Sequence, residues 1–363
     1  MADLAGDLVS FVSSMGGERA LRVEESLGEG YVRLRVSEAE RRQAKHDIRC
    51  VEDAVIEMLR NARDAGARRI YVATSREGTV RTTTMLDDGS GIPQDMQERV
   101  FEARVTSKLD SIHMDRWGVH GRGMALFSIK ENSLSSEVVS SAPGKGAAIR
   151  VVTDSERLPE RADQSTWPVL SDEEPDSSSC LRGPHNIIRT CCEFALEERS
   201  TCEVYVGSSA EIVATARART NLGLDASELL FMDSLDELPV TGRLAAAADA
   251  SDLCEQARLL GLEMSERTAH RIIVGQIRPL RSVLSRLLRQ GDKKTRAEGH
   301  EVDLLKDRRG LRLSRSDLEE FSSAVERDFG VLADRYYLAL SSAPKVRVGR
   351  GRITVTLELE EPD

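Results

Sequence analysis

Aromatic side chains are scarce in this chain: two tryptophans, five tyrosines and seven phenylalanines make 4% of its 363 residues. A platform that stacks successive bases of single-stranded nucleic acid needs more of them, so that class is set aside. Positive charge is also in deficit. Lys and Arg number 51 against 61 Asp and Glu, a net charge of −10, so the molecule as a whole repels a phosphate backbone. No run of 18 apolar residues occurs, which excludes an apolar spanning helix from the sequence. The opening MADLAGDLVSFVSSMGG is too acidic and too weakly apolar to be expected as a secretory signal. Cys50, Cys180, Cys191, Cys192, Cys202 and Cys254 form no CxxC pair. That removes a zinc ribbon, and reduced thiols in a cytoplasmic protein are the expectation. A GxxxxGK[ST] phosphate loop is missing too.

What is present supports a folded chain. Apolar residues make 40% and charged residues 31%, enough for a sizeable core. Residues 31–35 predict a short strand, 36–47 a polar helix and 50–65 a strongly amphipathic one. Strand-like runs follow at 68–74 and 80–86, joined by a turn at Arg76-Glu77-Gly78, and another at 147–153. Between them lie glycine clusters at 87–93 and 118–123, the second opening onto a helix. Residues 156–184 hold Pro159, Pro168, Pro175 and Pro184, the acidic run Asp172-Glu173-Glu174 and three serines, the composition of a linker or long insertion. Beyond it, 185–198 reads as helix, 202–207 as strand, most of 208–340 as helix and 352–360 as strand.

Three segments carry chemistry. On the helix VEDAVIEMLRNARDAG, Val51, Val55, Met58, Leu59 and Ala62 share one arc, the face to bury on a sheet. Glu57, Asn61 and Asp64 share a nearly opposite arc, which by itself is an ordinary solvated face. In DDGSGIP, Asp87 ends a strand as an acceptor for an exocyclic amine, while Gly89 and Gly91 let backbone approach a flat ligand. A plain Asp-Gly turn explains the same residues. In GVHGRGMAL, Gly118, Gly121 and Gly123 precede an apolar helix, so backbone N–H groups face any anion there. No strand of a βαβ unit leads into this triplet, which excludes a dinucleotide fingerprint.

In this order and spacing the segments resemble the GHKL superfamily, the ATPase domains of gyrase, heat-shock chaperone, histidine kinase and MutL. ExxxNxxDA matches Glu57, Asn61, Asp64 and Ala65; the DxGxG box matches Asp87, Gly89 and Gly91; the glycine lid matches Gly118, Gly121 and Gly123. NARDAGA at 61–67, Thr106-Ser107-Lys108 and GRGMAL at 121–126 are similar in flavour to MutL and the topoisomerase VI B subunit. The resemblance covers about 45–153 and implies an α+β fold: a Bergerat α/β sandwich, its mixed sheet covered by helices on one face, then a helix-rich region. With the composition and periodicity beyond it, the chain divides into an ATP-binding domain with an N-terminal extension over 1–155, an acidic Pro/Ser-rich linker or insertion over 156–184, and a mostly helical region over 185–363. The resemblance further implies ATP and Mg²⁺ as ligands. Asn61 would hold the metal and Glu57 would activate the attacking water. Asp87 would accept from the adenine amine, with Gly89, Gly91 and Ile92 beside the base. Gly118, Gly121 and Gly123 would close a lid over the phosphates, Lys108 would reach phosphate, and Asp64 would support the site from behind.

The resemblance implies an ATPase that couples lid closure or a nucleotide-dependent homodimer to work on a protein partner. A segment before residue 45, with Leu8-Val9-Ser10-Phe11-Val12, would serve as the strap, and 102–123 would be mobile without nucleotide. A protein kinase of histidine or anti-sigma type, or a nucleotide-binding scaffold with negligible turnover, are the alternatives. His46 stands too close to Asn61 to serve as a separate phosphoacceptor, and His113 and His120 fall in the lid. In MutL and topoisomerase VI a lysine of the following domain completes the γ-phosphate site; here Lys306 and Lys345 are candidates and neither is assigned. Residues 286–315 hold ten Lys and Arg against five acidic residues, a patch for DNA or RNA or, in the favoured reading, a solvated helical surface. Cys191-Cys192 are expected in the core, Trp167 as an anchor of the linker, and no membrane contact is expected.

Overall fold

Side chains alternating along the strands decide the architecture. The computed structural model describes residues 23–107, 113–115, 118–120, 123–161, 163–170, 181–223, 232, 234–296, 315–336, 338–349 and 352–360. Its strands are β1 (Val23–Gly28), β2 (Tyr31–Leu34), β3 (Arg69–Glu77), β4 (Val80–Asp87), β5 (Val105–Thr106), β6 (His113–Asp115), β7 (Gly118–His120), β8 (Ser135–Ser141), β9 (Ala147–Asp154), β10 (Val169–Leu170), β11 (Leu181–Arg182), β12 (Glu203–Gly207), β13 (Lys345–Gly349) and β14 (Arg352–Thr356). Its helices are α1 (Glu38–Asp47), α2 (Val51–Asp64), α3 (Ala125–Asn132), α4 (Ile187–Glu197), α5 (Ser209–Arg219), α6 (Val240–Ala246), α7 (Ala250–Leu259), α8 (Glu266–Ile273), α9 (Val283–Arg296) and α10 (Arg315–Tyr336). After residue 93 the chain makes two 3₁₀ turns, Gln94–Met96 and Arg99–Phe101.

The main sheet has the order β12-β3-β4-β9-β8, antiparallel except for β12, which runs parallel to β3. Ile70, Val72, Met85, Ile149, Val204 and Val206 point to one face, against α2, α3, α4 and α9. Tyr71, Ala73, Leu86, Ala148 and Tyr205 point to the other, against α5, α6, α7 and α8. Period-two alternation with both faces apolar is the pattern of a sheet buried on both sides. Helices thus cover two faces where the sequence reading placed them on one, and the added layer comes from beyond residue 185. The stacked rings of Tyr71 and Tyr205, 5.2 Å between centroids, join neighbouring strands on that added side.

The sheet therefore does not end at the boundary drawn at 155, because β12 is one of its edge strands. The described part of the expected linker is also built in. Leu158 is 3% exposed in the first core, and Arg81 binds Glu160 at 2.7 Å, holding that carboxyl below its usual range. Asn186, fully buried, donates to the carbonyls of Asp163 and Thr166 and caps α4 by accepting from Arg189 N–H. Trp167 carries the Arg286 guanidinium 3.7 Å from its ring centre, so it anchors this segment and draws one arginine out of the basic patch. Cys191 and Cys192 are buried in the core, burial pushing the Cys191 thiol up to about 12. The acidic run at 172–174, the serines at 177–179 and residues 297–314 of the basic patch lie outside the described residues.

One cooperative unit follows from this shared core. Phe194→Ala on α4 is expected to cost about 3–5 kcal/mol, with far-UV circular dichroism and tryptophan fluorescence losing signal in one coincident denaturant transition.

Candidate functional site

Nine of the fourteen residues of the motif helix α2 are buried. Val51, Val55, Met58, Leu59 and Ala62 are all at most 4% exposed, as the apolar arc requires. Its N-cap, Cys50, makes no side-chain cap bond. Instead Val51 N–H donates to Pro159 O at 3.1 Å, and the buried Glu52 carboxylate accepts from Arg161 N–H and the Gln164 amide. At the other end Gly66, in the left-handed region, donates to Arg63 O at 2.8 Å and Ala67 N–H to Ala62 O at 3.1 Å, a Schellman stop. The NARDAGA run is thus a helix terminator as well as a motif.

The terminator docks onto the turn after β4. Ser90 N–H donates to Ala65 O, and a Cβ on Gly89 would lie 2.8 Å from that same oxygen. Asp87 is 5% exposed and its Oδ1 accepts from Gly89 N–H at 2.9 Å. Asp88 Oδ1 accepts from the N–H groups of Arg68 and Arg69, tying the turn to the start of β3. On its far side the turn presses on the β8–β9 connection. A Cβ on Gly91 would fall 2.0 Å from Ala142 O, and one on Gly146 2.1 Å from Asp87 O; both have positive φ. Ile92 N–H donates to Ser141 Oγ at 2.7 Å.

A cavity of about 1020 Å³ opens between α1, α2 and this turn, at the upper end of the roughly 300–1,000 Å³ usual for small-molecule sites. Glu57, Asn61 and Asp64 line it together with Asp87, Gly91, Ile92 and Gly123, so residues read from three separate segments share one space. Gly89 is not in the lining: it packs against Ala65 and the Asp87 carboxylate. Asp64 binds Arg63 Nε at 2.9 Å, and Arg63 reaches Glu198, the C-cap of α4, at 2.8 Å. Burial disfavours the Arg63 cation, yet Glu198 and Asp64 together more than offset it and its pKa is raised. Lys108 and Gly121 lie outside the described residues, as do 108–112, 116–117 and 121–122 of the expected mobile segment; Gly118 is placed only as the residue of β7 opposite Asp115. The strap residues Leu8–Val12 also lie outside them.

Two residues escaped the sequence reading. Arg60, fully buried, lines the cavity and donates from Nη1 to Glu57 Oε1 at 2.6 Å. Arg104 also lines the cavity with a left-handed backbone, φ 65°, its N–H bonded to Gly123 O and its guanidinium to Glu40. No sequence signal marks Arg104; Gly146, by contrast, was legible in the Pro-Gly-Lys-Gly turn.

Among the described residues no cluster of three or more His, Cys, Asp or Glu stands ready to hold a metal. The amide oxygen of Asn61, on the cavity wall, is a hard donor of the type Mg²⁺ takes. Among the same residues no helix is long and apolar enough to cross a membrane.

Residues 48–157 match the family described as histidine kinase-, DNA gyrase B- and HSP90-like ATPase, and this segment is a GHKL-type domain, as its three motifs indicated. Among individual proteins, DNA mismatch repair protein MutL of Acidiphilium cryptum is 41% identical over 103 residues, 28% of this chain and 17% of that protein. MutL of Thermus aquaticus is 42% identical over 82 residues, 22% of this chain and 15% of its own length. Nitrogen regulation protein NtrY of Azorhizobium caulinodans is 28% identical over 124 residues, 31% of this chain and 15% of that protein. The matched part thus spans about a sixth of these relatives.

The turn geometry makes a direct forecast. Gly91→Ala adds a backbone clash to a left-handed conformation, whereas Gly144→Ala, at φ 73° with nothing within 4 Å, adds only the conformational cost. Chemical denaturation should show a loss of about 1–2 kcal/mol for Gly144→Ala and a clearly larger one for Gly91→Ala, which alone also impairs ligand binding in the cavity.

Proposed function

We propose that this chain binds Mg·ATP in the cavity between α1, α2 and the Asp87–Ile92 turn and hydrolyses it. The observation that carries the reading is the convergence of Glu57, Asn61 and Asp64, on one face of a buried helix, with Asp87 in a single cavity. Asp87 ends a strand with its carboxylate buried, suited to accept from the adenine amine; guanine presents a carbonyl there and would set acceptor against acceptor. Asn61 would hold Mg²⁺ through its side-chain oxygen, and the bound metal supplies charge neutralisation at the phosphates. Glu57 takes a proton from the attacking water as that oxygen bonds to the γ-phosphorus and the bond to the ADP oxygen breaks; the proton then passes to solvent with phosphate. Gly123, at the start of α3, stands where a lid would join the body.

Coupling to a protein partner and a nucleotide-dependent homodimer are parts of the same proposal. The likeness to MutL, a mismatch repair protein by name, supports a partner but does not identify one.

Binding and chemistry separate by mutation. Asp87→Asn is expected to weaken ATP binding by roughly 1.5–3 kcal/mol, the scale of a hydrogen bond to a charged group; calorimetry showing equal affinity removes the adenine assignment. Glu57→Ala should keep affinity within a few-fold and lose at least about 10²-fold in turnover, and Asn61→Ala should lose the Mg²⁺-dependent part of binding. Sedimentation in apo, ADP and ATP-analogue states tests self-association, and an unchanged association constant sinks the dimer while leaving hydrolysis in place.

A further inference from the structure

A carboxylate asked to take a proton beside a polyphosphate has two difficulties: its own rotamers, and repulsion from the phosphate charge. The structure places a guanidinium at that point. Arg60 precedes Asn61 on α2, its side chain is 2% exposed, and its Nη1 lies 2.6 Å from Glu57 Oε1. Both residues line the nucleotide cavity, and Glu57 keeps 20% of its side chain open to it. A buried guanidinium is costly unless a carboxylate and further hydrogen bonds meet it, so Arg60 is held in the cavity wall by the same carboxylate the chemistry needs. Among the described residues, other cations lining the cavity are engaged or solvated: Arg104 is tied to Glu40, while the Arg49 and Arg161 side chains are 77% and 48% exposed. Lys345, weighed above for the phosphate, is bound to Glu358 at 2.7 Å on the β13–β14 hairpin.

We propose that Arg60 is a positioning residue for hydrolysis: it fixes the Glu57 carboxylate in the orientation that meets the attacking water, and its charge offsets repulsion between that carboxylate and the terminal phosphate. The inference rests on the ATPase reading and deepens it. Arg60 acts through Glu57, so its removal costs turnover and leaves nucleotide affinity nearly intact. Charge alone accounts for part of the effect and the planar fork for the rest.

The pair itself is tested without nucleotide. Thermal denaturation of Glu57→Gln, Arg60→Gln and the double variant should show losses that fall short of adding, because each single change removes the same contact; strictly additive losses overturn the pairing. With ATP, Arg60→Gln should lower kcat by at least about tenfold while the dissociation constant of a non-hydrolysable ATP analogue stays within about threefold. Arg60→Lys should fall between wild type and Arg60→Gln, and it carries the test if the glutamine variant does not fold. In a Glu57→Ala background, Arg60→Gln should cost nothing further. Unchanged kcat in Arg60→Gln with a hydrolysing wild type overturns this inference alone, as does loss of analogue affinity in step with kcat. A wild type that binds ATP without hydrolysing it overturns the ATPase reading and this inference with it.

Discussion

Every feature of the site depends on one helix holding polar side chains inside the molecule. α2 packs an apolar arc on the sheet and presents Glu57, Arg60, Asn61 and Asp64 to the cavity. Carboxylates and a guanidinium in such a place must be paired or hydrogen-bonded. The pairings follow one another around the helix: Glu57 with Arg60, Asp64 with Arg63, and Arg63 with Glu198 at the C-cap of α4. A helix this constrained cannot rotate or slide without breaking several buried contacts at once, which fixes the angle at which its functional face meets a ligand.

The second fixed point is the turn after β4. Its backbone is gripped on one side by the helix terminator through Ala65 O and on the other by the β8–β9 connection through Gly91 and Gly146. Backbone-to-backbone contact of this kind tolerates no Cβ, so the glycines are there for space as much as for conformation. Asp87 is consequently presented by a rigid strand end, and the carboxylate and the motif helix are parts of one frame.

The motif helix, both central hairpin strands, the glycine turn after β4 and the α+β class were legible because each is written in local periodicity or in turn chemistry. The place of β12 was not. CEVYVG reads as a strand, but nothing local says that its partner is β3, about 130 residues earlier. Coverage of the second sheet face was hidden for a related reason: Tyr71, Ala73, Leu86 and Ala148 alternate with core residues of the first face, and a run apolar on both sides shows only that it is buried. Arg60 was missed because an arginine on an amphipathic helix ordinarily faces water, and only the three-dimensional neighbourhood reveals a side chain 2% exposed. Arg104 carries a left-handed backbone with no glycine or asparagine to announce it.

That second layer of helices alters what the site is mechanically. Val240 N–H, at the start of α6, donates to Lys145 O, and Lys145 Nζ reaches Asp236 O at 3.0 Å. Arg243 of the same helix donates to Ser140 Oγ, and Gly261 O accepts from Thr84 Oγ1 within the core. The connection between β8 and β9 is therefore held from behind by the helical layer while its front presses on the Asp87–Gly91 turn. A displacement of α6 has no slack through which to dissipate, because close-packed interiors transmit strain. Residues beyond 185 are the back wall of the cavity frame, and their fold is a condition of the site's geometry.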